Sequence, residues 1–270
     1  MTQRVSELIL SDHQLELQRV AFDGKIFLAP IYPAEQTEYH VLDIGTGTGK
    51  WAVEFATEYP NSKVIGTDLS LMNYESLPEN CEFIVADAED PWEFSHKFDF
   101  IHLNDLFFCF QDQKDIFRKS FEALAPGGYT QILDPMLPLR SIDDSLDNTS
   151  LQKWFKACVK AGEMAGRPWL NVTHYKEWME DIGFEDVTEV IYHLPINDWP
   201  LGSKEKEIGM MLRKDLSASL SSLKAILTHG LKWDDAEVEE LLKGAKHDLR
   251  NRNIHAYLPL YIIWGRKPSI

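Results

Sequence analysis

Cysteine is scarce in this chain. Among 270 residues only Cys81, Cys109 and Cys158 carry a thiol, far apart, with no C-x-x-C pair and no cysteine–histidine ligand spacing. That argues against a disulfide framework and a zinc site, and leaves buried reduced thiols and no metal as the expectation. Positive charge is short as well: 27 Lys and Arg stand against 43 Asp and Glu, a net charge of -16. So acidic a surface repels phosphate backbones, and no Lys/Arg stripe reverses this locally, so no nucleic-acid partner is expected. Long apolar runs are missing too. No segment approaches the roughly 20 apolar residues of a membrane span. The opening "MTQRVSELILSDHQLELQRV" has scattered acids and no apolar stretch of signal length. The expectation is a soluble, cytoplasmic protein with no membrane partner.

What is present is an ordinary globular composition, 44% hydrophobic and 26% charged, on a chain long enough for a sizeable core. Residues 2–20 read as an amphipathic helix with Val5, Leu8, Ile9, Leu15 and Leu17 broadly on one side. "FDGKIFLAPI" follows as a hairpin-like stretch turning at Asp23-Gly24. From Val41 onward strands and helices alternate. Strands are expected at 41–44, 63–67, 83–86, 98–103 and 129–133, and helices at 51–58 and 114–124, the second ended by "APGG". The strands at 83–86 and 98–103 are apolar enough to be buried on both faces. Such alternation implies βαβ units and a parallel sheet covered by helices, an α/β, Rossmann-like class. Beyond it come helices at 150–162, 173–182, 204–229 and 234–252, a strand in "GFEDVTEVIYHLP", and a last strand in "AYLPLYIIWGRKP". The expected organisation is a single domain over 1–270. It comprises an N-terminal arm (1–38), a cofactor-binding half (39–135), a helical substrate-side elaboration (140–253) and the last strand (256–268).

The stretch "VLDIGTGTGKWAVEFA" raises the question of a ligand. A phosphate-binding P-loop needs G-x-x-x-x-G-K-[ST]; here its first glycine would be Ile44 and its hydroxyl Trp51, so that reading fails twice. A dinucleotide fingerprint needs G-x-G-x-x-G, whereas Gly45, Gly47 and Gly49 are spaced G-x-G-x-G. Asp43 would also confront a pyrophosphate at close range. An acid at the carboxyl end of the first strand suits a cation instead, and S-adenosylmethionine carries an ammonium and a sulfonium. Asp68 ends "VIGTD" about 20 residues past the loop, where an open α/β sheet places a ribose-binding acid. Asp87 ends the third strand and is placed to accept from an adenine amino group. Leu69 would lie on the adenine face, and Ala88 would offer its N–H to the ring. The cofactor residues expected are thus Asp43, Gly45, Thr46, Gly47, Gly49, Asp68, Leu69, Asp87, Ala88 and Asn104.

D-x-G-x-G-x-G over residues 43–49 resembles the first motif of class I methyltransferases, and "LAPGG" resembles the turn before their fifth strand. More narrowly, "LELQRVAFDGKIFLAPI", "VLDIGTGTGKWAVEFATEYPNSKVIGTDLS", "FIVADAEDPWEFSHKFDFIHL" and "YLPLYIIWGRKP" are similar to the LaeA/UMTA-like methyltransferases of fungal secondary metabolism. The resemblance covers most of residues 10–135 and the last strand. It implies a seven-stranded sheet whose last strand runs antiparallel, binding S-adenosylmethionine. The chain departs from that group at Arg19 and Val20, at Asn104 and Asp105, and at Tyr129, Thr130 and Gln131, positions expected to edge the crevice and bear on the acceptor.

A methyl sulfonium is already activated, so the protein has to align the acceptor at roughly 3–3.5 Å and exclude water. No catalytic triad is expected. A phenol or alcohol acceptor would be helped by a base, and Asn104, Asp105 and His102 are the catalytic candidates. Walls of an acceptor pocket are sought among Phe107, Phe108, Phe110, Trp154, Phe155, Met164, Trp169, Trp178, Met210 and Met211, an aromatic set suited to a planar or polyketide-like small molecule. The expected function is methyl transfer to an O or N atom of such an acceptor. The alternatives are a cofactor-binding regulator acting through partners, nuclear in that case, and a cofactor-bound non-methylating catalyst. Oligomeric state is not legible.

Overall fold

The structure, a computed structural model, describes residues 13–70 and 76–270. The first helix is described as α1 (His13–Ala21); Val5, Leu8 and Ile9 of the expected longer helix lie outside the described residues. "FDGKIFLAPI" forms no strand pair. The backbone N–H groups of Leu28 and Ala29 instead both donate to Gln131 Oε1 at 2.7 Å, so a buried amide takes the place of a partner strand.

Eight strands form one sheet: β1 (Tyr39–Ile44), β2 (Ser62–Asp68), β3 (Cys81–Val85), β4 (Phe98–Asn104), β5 (Leu124–Pro135), β6 (Arg140–Ser141), β7 (Glu185–Pro195) and β8 (Ala256–Arg266). Their order is β3-β2-β1-β4-β5-β8, with β7 on the far side of β8 and the two-residue β6 continuing the β5 side. The first five strands are parallel, and β8 runs antiparallel to β5, β6 and β7. Apart from β6 this is the seven-stranded arrangement with an antiparallel last strand.

The centre of the sheet follows from composition. Val41, Leu42, Ile44, Phe98, Phe100, Ile101 and Leu103 are all buried, as β1 and β4 must be when helices cover both faces. β3 corrects the expectation. It is an edge strand with Ile84 and Val85 exposed, because its outer side has no neighbour in the sheet.

Helix α2 (Lys50–Glu58) follows the glycine loop, and α3 (Gln113–Ala123) follows β4. The "APGG" turn is absorbed into β5, where Leu124 already pairs with Phe98 before the register shifts. Helices α4 (Ser150–Met164), α5 (Tyr175–Ile182), α6 (Ser203–Ser222) and α7 (Asp235–Asp248) form the elaboration. Helix α6 is shorter than the expected 204–229, and a π-helical turn, Ile226–Gly230, completes that segment. Packing of α1 on α6, and of α4 on α7, joins the N-terminal arm to the elaboration in one apolar cluster that includes Leu17, Trp154, Phe155, Leu212 and Leu258. No helix among the described residues is long and apolar enough to cross a membrane.

Candidate functional site

Two cavities meet at the carboxyl edge of the parallel strands. The first, about 770 Å³ including its open mouth, is lined by Gly45, Asp68, Leu69, Asp87 and Ala88 among others, and borders the loops after β1, β2 and β3. Open α/β sheets bind ligands here, where β1 and β4 diverge in chain order. The glycine loop is shaped by backbone rather than side chains. Gly45, Gly47 and Gly49 have φ of +64°, +58° and +73°, a region costly for other residues. A Cβ on Gly45 would stand 2.5 Å from Leu106 Cδ2. Only glycine gives this floor its depth.

Asp68 orders the rim: its Oδ2 accepts from Gly47 N–H at 3.0 Å and its Oδ1 from Ser70 at 3.3 Å. Asp87 Oδ1 accepts from Glu89 N–H at 2.9 Å, and the Ala88 carbonyl is held by Trp92 Nε1 and Lys119 Nζ, both at 3.0 Å. Leu69 is an apolar side chain left 44% exposed over the crevice. Among the described residues Asp68, Asp87, Glu89 and Asp105 are the acids in this lining, and Arg167 its one basic side chain. Arg167 donates to the Cys109 carbonyl and pairs with Glu89 at 3.6 Å.

Asp43 is not at the crevice surface. It is buried, with Oδ1 receiving His102 Nδ1–H at 2.7 Å and Oδ2 receiving Thr46 Oγ1–H at 2.6 Å. Asp43 and His102 are register partners on β1 and β4, so their side chains project to the same face, toward α2. There His102 stacks on Trp51, ring centroids 3.8 Å apart and 5° from parallel. A carboxylate only accepts, so Nδ1 donates here, and the buried Nε2 has no partner among the described residues. The expected roles of Asp43 as cation partner and of His102 as catalytic group give way to bracing the loop through Thr46. Thr46, Gly47 and Gly49 build the loop without lining the crevice.

The second cavity is larger in its apolar wall. It spans about 810 Å³ including its mouth, between α1, the turn after β4, and the elaboration. Leu17, Phe107, Leu137, Phe155, Trp169 and Leu212 are among its apolar walls; Gln14, Gln18, Asn104, Asp105, Asp215 and Ser219 are its polar members. Of the wall candidates, Phe108 and Phe110 line the first cavity instead, Trp154 is fully buried core, and Met164 points outward at 66% exposure. Met210 is exposed, Met211 packs on the α1–α6 cluster and Trp178 on the cluster around Tyr175. Arg19, Tyr129, Thr130 and Gln131 line neither cavity, so the expectation that they edge the crevice is corrected: Arg19 pairs with Glu54 and Gln131 holds the N-terminal segment.

Asp105 lines both cavities. Its backbone is left-handed, φ +59°, fixed by its N–H to the Leu133 carbonyl at 2.8 Å. Gln14 Nε2 donates to its Oδ2 at 3.1 Å. Removal from water pushes its pKa up to about 6, with a smaller push from Asp215 and a pull downward from Gln14. Behind it, Asp134 Oδ1 accepts Leu106 N–H at 2.7 Å and Oδ2 accepts Tyr175 O–H at 3.0 Å, pinning the turn. Burial first, then the charge of Asp105, holds Asp134 well above the carboxylate range. Sequence reasoning missed Gln14, Gln18, Asp215 and Arg167. Asp215 did carry a signal: with Ile208, Leu212, Leu216 and Ser219 it falls on the buried stripe of α6, an odd place for a charge.

A loop of positive-φ glycines, a crevice lined by Asp68 and Asp87 and an adjoining apolar cavity fit a cofactor-dependent transferase. The methyltransferase-domain family matches residues 12–189. Probable methyltransferase tdiE of Emericella nidulans is 30% identical over 95% of this chain and 80% of its own length. Secondary metabolism regulator LAE1 of Cochliobolus heterostrophus is 32% identical over 93% and 83%. Among solved structures, Haemonchus contortus phosphoethanolamine N-methyltransferase 2 in complex with S-adenosyl-L-methionine superposes with a TM-score of 0.57. It is 20% identical and covers 98% of this chain and 56% of the other, a likeness of fold. The chain belongs to the S-adenosylmethionine-dependent methyltransferases, and its relatives include fungal methyltransferases and LaeA-type regulators of secondary metabolism.

Proposed function

We propose that this protein methylates a small apolar molecule held in the second cavity. The observation that carries this reading is that one carboxylate, Asp105, borders both the nucleoside-shaped crevice and the apolar cavity. S-adenosylmethionine, when bound, supplies an electrophilic methyl on a sulfonium, so no protein nucleophile is needed. Asp68 would hold the ribose hydroxyls, Asp87 the adenine amino group, Leu69 would lie on the ring face and Ala88 would offer its N–H to the ring; Gly45 gives the close approach. Charge disperses as the methyl moves, which an apolar wall of Phe107, Phe155 and Trp169 favours. Asp105, poised near neutrality, is suited to take a proton from the acceptor, and Asn104 beside it to orient the acceptor.

Metabolite extracts incubated with the purified protein and isotopically methyl-labelled cofactor should yield one product heavier by a labelled methylene. Asp68→Ala should weaken S-adenosylhomocysteine binding by on the order of 1–3 kcal/mol, through loss of charge-assisted bonds. Unchanged calorimetric affinity in a folded variant would remove Asp68 from the site. The name of LAE1 favours a second reading, a cofactor-binding regulator acting through partner proteins. Copurification of a partner, with no product from any extract, would select it.

A further inference from the structure

The second cavity's lining contains no Lys, Arg or His among the described residues, while it contains Asp105 and Asp215. An anionic acceptor, whether carboxylate or phosphate, would enter an apolar space with no cationic side chain among the described residues to neutralise it. Gln18 adds an independent sign. It lines this cavity at 5% exposure, and its Oε1 is buried with no hydrogen-bond partner among the described residues. Buried amide oxygens are ordinarily satisfied, so this one marks a place for a donor. An amide can also turn half a circle within the same volume and present either end.

Resting on the methyltransferase reading, we propose that the acceptor is an apolar amine, with Gln18 and Asp105 setting that specificity. Among acceptors that carry a donor, a phenol grows more negative as it reacts beside Asp105. An amine enters as a cation, which the carboxylate of Asp105 attracts. In the water-poor cavity its ammonium passes a proton to Asp105 Oδ1, the oxygen Gln14 does not hold, leaving a neutral amine. The nitrogen lone pair then forms the bond to the methyl carbon while the carbon–sulfur pair stays on sulfur. Positive charge moves from sulfur to nitrogen and the total is unchanged. The apolar walls, Phe155, Trp169 and Leu212 among them, take the apolar body.

Three probes of one ring system separate the possibilities: naphthylmethylamine, naphthol and naphthoate, titrated calorimetrically into protein saturated with S-adenosylhomocysteine. The amine should bind about tenfold or more tighter than naphthol, with naphthoate weakest. Gln18→Leu should weaken amine binding several-fold, and Gln18→Glu should strengthen it. A purely structural glutamine would lose affinity in both. Equal affinities, a preference for naphthol or naphthoate, no amine binding, or loss in both variants overturns the proposal while leaving methyl transfer intact. Failure of S-adenosylhomocysteine itself to bind would remove the methyltransferase reading, and this inference with it.

Discussion

Asp105 combines two unfavourable choices at one residue. A side chain with a Cβ adopts φ +59°, and a carboxylate sits where water is sparse. Asp and Asn tolerate that backbone better than other residues, so the conformation costs little and the electrostatics dominate. An ordinary carboxyl titrates near 3.8 and this one near 6. Between those values the folded chain binds more protons than the unfolded one, so stability falls as pH rises across that window and stays lowered above it. Asp105→Asn should therefore gain on the order of 3 kcal/mol relative to the parent at about pH 8 and almost nothing at about pH 3. Methyl transfer should be lost in the same variant. Urea denaturation at both pH values measures the first; an equal gain at both would refute the electrostatic account.

At the scale of elements, α1 is the wall that the N-terminal arm supplies. It contributes Gln14, Leu17 and Gln18 to the second cavity, and Arg19 ties it to α2 through Glu54 Oε2, with Nη2 at 2.7 Å and Nε at 3.2 Å. The pair is about a quarter to a third exposed, and such contacts are worth less than about 1 kcal/mol. Arg19→Ala should raise the acceptor KM several-fold at most and leave S-adenosylhomocysteine affinity unchanged, because Arg19 borders neither cavity. A change in cofactor affinity would show that α1 also shapes the crevice.

The elements themselves were largely legible. Alternating apolar runs and glycine turns place β1 to β5, and the periods place α4, α5 and α7 within a few residues, whereas α6 ends at Ser222, seven residues before the expected 229. Burial on a single side was not legible for β3: an apolar pentapeptide reads alike at an edge and at a centre, and topology alone decides. The same limit misplaced Asp43. Its position at the strand end was correct, but which face it takes follows from the period-two alternation meeting His102 on β4, a contact between residues 59 apart. Gln14, Gln18 and Asp215 escaped because they come together only when α1 docks on α6, which no local pattern encodes.

For the whole molecule the governing quantity is the net charge of -16. Charge of that size draws cations in at low salt and is screened over about 8–10 Å near physiological ionic strength. Association of a cationic acceptor should slow several-fold between about 0.01 M and 0.15 M salt, with a neutral analogue of the same shape nearly unaffected. Stopped-flow fluorescence of the cavity tryptophan, Trp169, reports both. Equal salt dependence for the two would mean that the global field has no part in capture.

Arg167, beyond the end of α4, lines the first cavity and joins the Cys109 carbonyl to Glu89 across its lining. On the reading proposed above, spent coenzyme would leave past these two polar contacts, so their opening is expected to contribute to its release rate. Arg167→Ala should hasten S-adenosylhomocysteine release several-fold in a displacement experiment, and an unaltered off-rate would show that the exit lies elsewhere.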